Sequence, residues 1–498
     1  MGAMENIKRK LEVYEILFRK YGPVASSCNI TELSLLLKVS ERHVQTVIKR
    51  LVNTGWIEWK ATPGRSKKAQ LTCYKEPIEA CYDCVSTVVD SGNTDSVLNI
   101  LSFGGRNASI ELKKYLLHSN NIVPRSVCMP FHRKIGSLLP HNAICRTERY
   151  LVSQIFQRLV SIDNDIIHPD FAHHWEHDSS ATQWRFYLRS GVVCHDGNPL
   201  TAKDVVRCLK TLIANYYWSP LYSNLKGIRF LSEECIEITL SEGDFHLPRL
   251  LARSEASIYP IHVSTDKIVG SGPFQVEVWS PRMIRLGRFE HYALVFPLLE
   301  RVDLWVYEEW AKDKVCAQNQ LSLSFPEKKV TYKSKYHSLF MIIKKQGSNL
   351  DCSNIVTYEN NNECKALAQK LYSSQTLQDV FYGDYHHQAD TALCSILEES
   401  DRLYSRLAFL SLYPFKNKIV KDVDYDLFLN KVSDIRNTPD LALAVEELEQ
   451  LYDWLQQIGV IDIVKKDSFE LITSENLKEV RMNGFGWCDL AKLWIANH

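Results

Sequence analysis

The spacing of hydrophobic residues changes from a helical to a strand period within the first 75 residues, and this change limits the fold more than any other feature. Apolar side chains recur every three to four positions over residues 5–21, which predicts an amphipathic helix. A second, short helix is predicted behind Thr31, its expected N-cap, and a third behind Ser40. The buried stripe of the third helix is expected to be Val44, Val47, Ile48 and Leu51. The sequence therefore predicts a helix-turn-helix.

Two short strands are predicted directly after these helices. Residues 56–60 alternate apolar and polar side chains, Pro63-Gly64 supplies a turn, and residues 69–73 return as a second strand. The stretch Ser40–Leu51, followed by Gly55-Trp56-Ile57, resembles the recognition helix and wing entry of winged helix-turn-helix regulators. This resemblance implies a DNA-binding domain over residues 5–75 that is mainly α-helical and carries a β wing.

Charge is unevenly distributed along the chain. Lys and Arg together number 59, as do Asp and Glu, which excludes a globally basic coat for nucleic acid. Residues 1–75 hold 14 Lys and Arg against 6 Asp and Glu, a formal charge of +8, and residues 76–498 hold the remaining 45 against 53, a formal charge of −8. Such an asymmetry indicates nucleic-acid contact by the basic segment.

The third helix carries the expected DNA contacts. If its apolar stripe faces inward, its polar residues project outward near the amino-terminal half, which contacts base edges in helix-turn-helix proteins. The expected base-reading residues are Arg42, His43, Gln45, Thr46 and Lys49. Phosphate contacts, which give salt-sensitive affinity without sequence information, are expected from Arg50, Arg65, Lys67 and Lys68. The expected partner is double-stranded operator DNA; the alternative is a solvated charged face on a winged helix that binds protein.

Length and composition bound the rest of the molecule. At about 150 residues per domain, 498 residues suggest about three folded units. No run approaches the roughly 18 consecutive apolar residues of a membrane helix, and the amino terminus lacks the pattern of a secretory signal. The 14 Cys residues are too few over this length for a disulfide scaffold. We therefore expect a cytoplasmic protein with reduced thiols and no membrane contact.

Residues 76–121 mix short helical patterns with Ser, Gly and Asn breaks, and we expect a helical extension there. Cys81 and Cys84 lie within it, and Cys73 lies nearby, which invites a zinc site. Structural zinc needs four ligands, usually in two closely spaced pairs, and the sequence has no second pair. We expect buried free thiols and no metal.

From residue 122 onward, predicted strands, helices and turns alternate as in an α/β protein. One helix is predicted over residues 148–160, and another begins at Ala202 with Thr201 as its N-cap. Residues 483–490, near the carboxyl end, fit a returning strand. The chain is therefore expected to be multidomain.

Several stretches of this region carry a family resemblance. Pro169–Glu176, Trp184–Val192 and His195–Val206 together resemble the signature of the family 5 extracellular solute-binding proteins, the receptors for oligopeptides and dipeptides. Ser271–Val276 and Arg288–Tyr292 resemble that family's Gly-Pro-Tyr strand and its Asn-Pro-Tyr segment, although the Asn-Pro pair is absent here.

The resemblance implies a two-lobed α/β domain of the type II periplasmic-binding-protein class over residues 122–498. Lobe I is expected to comprise about 122–315 plus 480–498, and lobe II about 316–479; a ligand is enclosed when the hinge between the lobes closes. Members of the family carry a secretory signal, which this sequence lacks. A winged helix ahead of such a domain resembles the SgrR-type transcriptional regulators, in which the solute-binding domain is cytoplasmic.

The sequence does not name the ligand, and a sugar phosphate, a short peptide or another metabolite all remain open. Arg146 and Arg149 are candidates to hold a carboxylate or phosphate, since the guanidinium group binds these anions bidentately. Trp310, Tyr336 and Trp487 are candidates for stacking on the ligand. The alternative for each is a surface ion pair or a core aromatic residue.

Signatures of an enzyme are missing from the sequence. It contains no Gly-x-Ser-x-Gly, no phosphate-binding loop and no His-Glu-x-x-His, so we expect neither catalysis nor a cofactor. The favoured function is a ligand-responsive bacterial transcriptional regulator. The alternatives are a cytosolic small-molecule- or peptide-binding protein whose winged helix docks a protein partner, and a hydrolase that uses the cleft. The oligomeric state stays open, because helix-turn-helix proteins often pair whereas solute receptors act singly.

Overall fold

The structure is a computed structural model that describes residues 2–61, 68–122, 125–264, 267–307, 320–323, 328–348, 355–385 and 389–496. The chain forms two compact units. Unit 1 consists of residues 1–124 and 278–284, and unit 2 of residues 125–277 and 285–498.

Unit 1 begins with a winged helix, which confirms the predicted fold of this part of the chain. Its elements are, in chain order, α1 (Gly2–Tyr21), β1 (Ser26–Cys28), α2 (Ile30–Leu37), α3 (Glu41–Asn53), β2 (Ile57–Lys60) and β3 (Ala69–Cys73). The strands form an antiparallel sheet in the order β1-β3-β2, in which β2 and β3 are the predicted hairpin. The sequence did not predict β1, because three residues are too few to show a strand period.

Helix caps fix the two helices of the helix-turn-helix. Ser40 caps α3 as predicted, since its Oγ accepts a hydrogen bond from the His43 N–H. The prediction that Thr31 caps α2 is wrong: Asn29 does so, and its Oδ1 accepts from the Glu32 N–H at 2.7 Å. The Glu32 carboxylate accepts in return from the Asn29 N–H. This reciprocal capping box satisfies two backbone donors, and it starts the helix one residue before Thr31.

Residues 77–122 of unit 1 are mainly helical. They contain α4 (Pro77–Asp90), α5 (Val97–Leu101) and α6 (Ala108–Ile122), with 3-10 turns at Thr94–Ser96 and Phe103–Gly105. Of these helices, α4 and α5 pack on α1. The Arg106 guanidinium donates two hydrogen bonds to the Glu15 carboxylate of α1, at 2.6 and 3.2 Å. Burial alone would raise the pKa of Glu15, but Arg106 and Arg19 hold it below its usual value. This charge-assisted pair fixes α1 against the loop before α6.

Unit 2 has an α/β fold, and its first half carries two four-stranded sheets. Its elements up to residue 306 are β4 (Ser126–Phe131), α7 (Arg146–Ile155), β5 (Val160–Asp163), β6 (Ile166–Pro169), β7 (Ala172–His177), β8 (Gln183–Leu188), α8 (Ala202–Ala214), α9 (Ser219–Tyr222), β9 (Leu225–Ser232), β10 (Cys235–Leu240), α10 (Leu247–Leu251), β11 (Phe274–Trp279), β12 (Met283–Arg288) and β13 (Arg301–Val306). The sheets have the orders β7-β8-β10-β9 and β11-β12-β13-β4, and β13 runs parallel to β4. The short strands β5 and β6 pair as a separate hairpin.

A six-stranded sheet forms the centre of the second half. The elements there are β14 (Gln320–Ser322), β15 (Lys329–Lys344), β16 (Ile355–Glu359), α11 (Asn362–Leu371), β17 (Thr376–Val380), β18 (Thr391–Leu397), α12 (Arg402–Leu412), α13 (Asp422–Asn437), α14 (Leu441–Gln457), β19 (Ile461–Ser474), β20 (Leu477–Lys478) and β21 (Trp494–Ile495). The strand order is β14-β19-β15-β18-β16-β17. All seven residues of β18 are buried, as expected of a strand covered on both faces.

Two predicted elements of unit 2 differ from the structure. The helix predicted over residues 148–160 is α7, which begins at Arg146 and ends at Ile155 because Phe156 adopts an extended conformation. The strand predicted over residues 483–490 is wrong: within this stretch the structure forms a bridge to Cys488 and a 3-10 turn that begins at Leu490. The Ala202 helix is α8, capped by Thr201 as predicted. Among the described residues, the helices are too short or too polar to cross a membrane.

Candidate DNA-binding and ligand-binding sites

One face of α3 is buried and the other is polar and exposed. Val44, Ile48 and Leu51 pack into the core of the winged helix, as their helical spacing predicted. The opposite face exposes Arg42, His43, Gln45, Thr46, Lys49 and Arg50. Part of this surface is pre-ordered, because the Thr46 hydroxyl donates to the Arg42 carbonyl at 3.1 Å. The helix thus presents cations and amide or hydroxyl groups, the groups that recognise phosphates and base edges.

Lys68 is the one residue among the three predicted phosphate contacts of the wing that the structure describes. Arg65 and Lys67 lie outside the described residues. The Lys68 ammonium lies 2.6 Å from the Glu32 carboxylate of α2, and this contact lowers the pKa of Glu32. Lys68 therefore joins the wing to α2, and an approaching phosphate would have to compete with that carboxylate.

Lys38 is a cation of the helix-turn-helix that the sequence reasoning missed. It ends α2 in the left-handed conformation, at a φ of 54°, and its side chain is exposed in the turn before α3. The sequence shows Lys38-Val39-Ser40 only as an interruption between two helical runs. The charge of Lys38 and its position in the turn before α3 were the sequence features that could have indicated a DNA contact.

Cys28, Cys73 and Cys81 of unit 1 are buried thiols, whereas Cys84 is half-buried. Burial raises the pKa of Cys81 to about 12 and that of Cys73 to about 11, so both are protonated at neutral pH. Within the described ranges, no three His, Cys, Asp or Glu side chains come together in a way that could hold a metal ion.

Unit 2 contains two adjoining cavities. The first, here called the aromatic cavity, encloses about 430 Å³ including space open to solvent. Its lining includes Arg149, Tyr217, Trp218, Arg253, Tyr382, Tyr385, Ser395 and Glu399. The second, the polar cavity, is lined by residues including Arg158, Arg249, Arg253, Glu399, Ser400 and Asp401. Arg253 and Glu399 belong to both walls, so the two cavities share a boundary.

A buried ion-pair network forms that boundary. The Arg149 guanidinium lies 2.5 Å from the Glu399 carboxylate and 3.5 Å from that of Glu255. Arg253 lies 2.5 Å from Glu255 and 3.7 Å from Glu399. Burial alone would raise the pKa of Glu255, but Arg253 and Arg149 hold it below its usual value. Two guanidiniums and two carboxylates thus balance, which permits burial of all four charges.

Three tyrosines, Tyr217, Tyr382 and Tyr385, line the aromatic cavity. Burial raises the pKa of each phenol, so all three remain neutral. The Tyr217 and Tyr385 rings are stacked, with centroids 6.5 Å apart. Such a wall offers hydrogen-bonding groups and stacking surface to a small ligand.

Glu359 supports this wall from behind. Its Oε2 accepts hydrogen bonds from the Ser395 N–H and Oγ–H, at 2.9 and 2.6 Å. Its Oε1 is buried and has no hydrogen-bond partner within the described part of the chain. Burial raises the pKa of Glu359 to about 7, so the carboxyl titrates near neutrality.

The candidate ligand residues of the sequence fall in different places. Arg149 lines the aromatic cavity, whereas Arg146 lies with its guanidinium 4.6 Å from the Phe469 ring and lines neither cavity. Tyr336 is buried and donates to Asn164 Oδ1 at 3.0 Å. Trp487 is fully buried and stacks on Tyr150, and Trp310 lies outside the described residues.

The sequence reasoning missed most of the cavity lining. Tyr217, the loop that holds Tyr382 and Tyr385, and Ser395 of β18 are far apart in the sequence, and only the fold brings them together. The available signal was the clustering of aromatic residues over 216–218 and 381–385.

The fold is that of a winged helix joined to an α/β domain. Comparisons with known families agree. Residues 9–121 match the family described as "Sugar transport-related sRNA regulator N-term", and residues 167–330 match "Bacterial extracellular solute-binding proteins, family 5 Middle". In these two segments the chain is similar to the SgrR-type regulators and to the family 5 solute-binding proteins, respectively.

Relatives of known sequence match about three fifths of the chain. The HTH-type transcriptional regulator SgrR of Yersinia pestis (strain Pestoides F) is 27% identical over 313 residues, which cover 61% of this chain and 55% of that protein. The uncharacterized protein YbaE of Escherichia coli (strain K12) is 27% identical over 301 residues, covering 60% of this chain and 52% of YbaE. The matches span about half the length of these relatives.

Solved structures support the fold alone. The oligopeptide-binding protein AppA from Bacillus subtilis, in complex with a nonapeptide, has a TM-score of 0.60 at 13% identity, covering 75% of this chain and 100% of AppA. The solute-binding protein MoaA from A. tumefaciens R10, in complex with mannopinic acid, has a TM-score of 0.60 at 15% identity, with the same coverage of both chains. Both confirm the predicted two-lobed α/β fold.

Proposed function

We propose that this protein is a transcriptional regulator that binds operator DNA through its winged helix and senses a small molecule in its solute-binding domain. The observation that carries the proposal is the exposed, cationic face of α3 on a winged helix, in a chain similar to the SgrR-type regulators. One of its relatives is named as a transcriptional regulator, and residues 167–330 match a family of solute-binding proteins. Because bacterial operator DNA lies in the cytoplasm, this function implies a cytoplasmic protein.

On the DNA side, we assign base contacts to Arg42, His43, Gln45, Thr46 and Lys49 and phosphate contacts to Arg50 and the wing. All the named residues of α3 are exposed, and its buried stripe holds the helix so that they share one surface. Lys38 in the preceding turn adds a cation beside the amino-terminal end of the helix, where phosphates bind favourably.

On the ligand side, we assign the site to the aromatic cavity. If lobe I comprises residues 122–315 plus 480–498 and lobe II residues 316–479, this cavity is lined from both. Arg149 and Tyr217 then belong to lobe I, and Tyr382 and Ser395 to lobe II. A ligand held from both sides favours closure, because it gains contacts in the closed state that the open state lacks. A sugar phosphate, a short peptide or another metabolite would each find donors and stacking surface there.

The test measures duplex binding by fluorescence anisotropy, with a pool of random duplexes of roughly 30 base pairs, over about 50 to 200 mM salt. The full chain is expected to bind with a steep inverse dependence on salt, and Arg42→Ala/Lys49→Ala to weaken binding about tenfold or more. Lys210→Ala/Lys226→Ala, which removes two exposed cations from unit 2, is the charge-matched control. If the full chain showed no duplex affinity at low salt, the DNA-binding assignment would be wrong and a protein partner would be the better hypothesis.

A further inference from the structure

The turn between β11 and β12 belongs to unit 1, although most of both strands belong to unit 2. Unit 1 includes residues 278–284, whereas residues 274–277 and 285–288 of the same strands lie in unit 2. The backbone therefore passes between the units three times, after residues 124, 277 and 284. A simple tether between a DNA-binding and a sensing domain would pass only once.

Within unit 1, this turn contacts the junction between α4 and α5. The hydroxyl oxygens of Thr94 and Ser280 lie 2.6 Å apart, a hydrogen bond in which either can donate. Thr94 is only 1% exposed, so the bond is shielded from water. Arg282 lies 3.8 Å from Asp95 at the surface. The backbone also passes close by, because a Cβ added at Gly92 would lie 3.9 Å from a Val278 methyl carbon.

The turn itself is tightly held. The Ser280 N–H donates to the Met283 carbonyl at 2.9 Å, and the Met283 N–H donates to Ser280 Oγ at 3.0 Å. Ser280 thus closes the turn and bonds Thr94 with the same hydroxyl. A hydroxyl fixed by its own turn makes a directional contact, since it has little freedom left to lose.

Within unit 2, the strands that lead to the turn are fixed to the sheet. The buried Arg285 guanidinium of β12 donates two hydrogen bonds to Asp303 of β13, at 2.8 and 3.2 Å. Gly287 of β12 lies against Glu277 of β11, since an added Cβ would overlap the Glu277 carboxylate. The two strands that lead to the turn are therefore held by side-chain contacts within the sheet, and the segment is not a loose loop.

We propose that the turn 278–284 is the coupling element of this regulator, and that Ser280 and Arg282 carry displacements of the sheet β11-β12-β13-β4 to residues 92–96 of unit 1. The inference deepens the proposed function, on which its regulatory meaning rests. The α4–α5 junction is part of the same compact unit as the winged helix, so a shift there changes the unit that binds DNA. Neither residue lies on α3, so the turn acts by positioning and not by touching DNA.

The experiment perturbs the sheet and measures amide hydrogen exchange of the full chain over residues 88–101. Asp303→Asn weakens the buried pair in unit 2 and is made in the wild-type chain and in Ser280→Ala/Arg282→Ala. In the wild-type chain, Asp303→Asn is expected to raise exchange over residues 88–101 about fivefold or more; in the double variant the same change is expected to leave it unaltered. Val302→Ala, a milder change in the same strand, repeats the test if Asp303→Asn unfolds the protein.

The control perturbs unit 2 elsewhere. Glu398→Gln weakens the half-buried Glu398–Arg406 pair, which is not part of the hairpin sheet, and is expected to leave exchange over residues 88–101 unchanged. The proposal would be overturned if Asp303→Asn changed amide exchange over residues 88–101 equally in the wild-type chain and in the double variant. It would also be overturned if neither change in β13 altered this exchange in the wild-type chain. Duplex binding by the same variants separates the two proposals, because Ser280→Ala/Arg282→Ala is expected to keep its basal affinity. If the wild-type chain had no duplex affinity, the proposed function would be wrong, but the exchange result would still support mechanical coupling through the turn.

Discussion

At the scale of single residues, Glu359 is a carboxyl whose protonation is linked to folding. Its pKa is raised from about 4.5 to about 7 by burial, so the folded chain binds a proton there that the unfolded chain releases. The stabilisation is complete below about pH 4.5 and is lost as the pH rises through about 7. Glu359→Gln, which keeps the acceptor for Ser395 and cannot ionise, is expected to be more stable than the wild type at about pH 8, by on the order of 1–3 kcal/mol, and nearly equal at about pH 4.5. Thermal unfolding of both chains across this range checks the prediction, and parallel curves would contradict it.

The two kinds of expected DNA contact also differ residue by residue. Arg42→Ala removes a base reader and is expected to cost about 1–3 kcal/mol on the preferred duplex while relaxing the preference at one base pair. Arg50→Ala removes a phosphate contact and is expected to weaken binding to all duplexes alike and to reduce the salt slope by about 1. Selection from a random duplex pool, followed by salt titration of the selected sequence, distinguishes the two. If Arg50→Ala relaxed the base preference and Arg42→Ala weakened binding to all duplexes alike, α3 would be rotated in the groove relative to our assignment.

At the scale of elements, the cap of α2 gives a direct comparison between two neighbouring residues. Asn29→Ala is expected to destabilise this helix by about 1 kcal/mol, because it removes the acceptor for the Glu32 N–H. Thr31→Ala loses only an exposed hydroxyl bond to Glu41 and is expected to cost less than about 0.5 kcal/mol. Amide exchange over residues 30–37 measures both. If Thr31→Ala destabilised the helix more than Asn29→Ala, Thr31 would be the N-cap, as the sequence predicted.

The elements also show where prediction from sequence succeeds. The helix α3 and the strand β3 were predictable because their apolar residues recur at one clear period and a cap or turn residue bounds them. The strand β1 was not, since its three residues carry no period and its pairing with β3 depends on the fold. The lining of the aromatic cavity could not be predicted from the sequence either. Tyr217 and Tyr382 are 165 positions apart, and no local pattern relates them.

At the scale of the whole molecule, two functions with separate sites must influence each other if the protein is a regulator. Coupling requires that the ligand bind two states of the chain with different affinity, since equal affinity shifts no equilibrium however tight it is. The sites themselves favour this division of labour. The cations of α3 are exposed, whereas the tyrosines of the aromatic cavity line an enclosed space within unit 2.

This argument predicts a retained ligand and a measurable linkage. Mass spectrometry of the purified chain under native and then denaturing conditions is expected to reveal a small molecule released on unfolding, because a ligand held between closed lobes would be retained. Adding that molecule back to ligand-free protein is expected to change duplex affinity by roughly 5–150-fold. Tyr217→Phe/Tyr382→Phe removes two hydrogen-bonding hydroxyls from the cavity and keeps the rings, so it is expected to lose most of this response while its duplex affinity without ligand stays unchanged. Equal responses of the variant and the wild type would place the sensing site elsewhere in unit 2, because the two hydroxyls would then contribute nothing to ligand recognition.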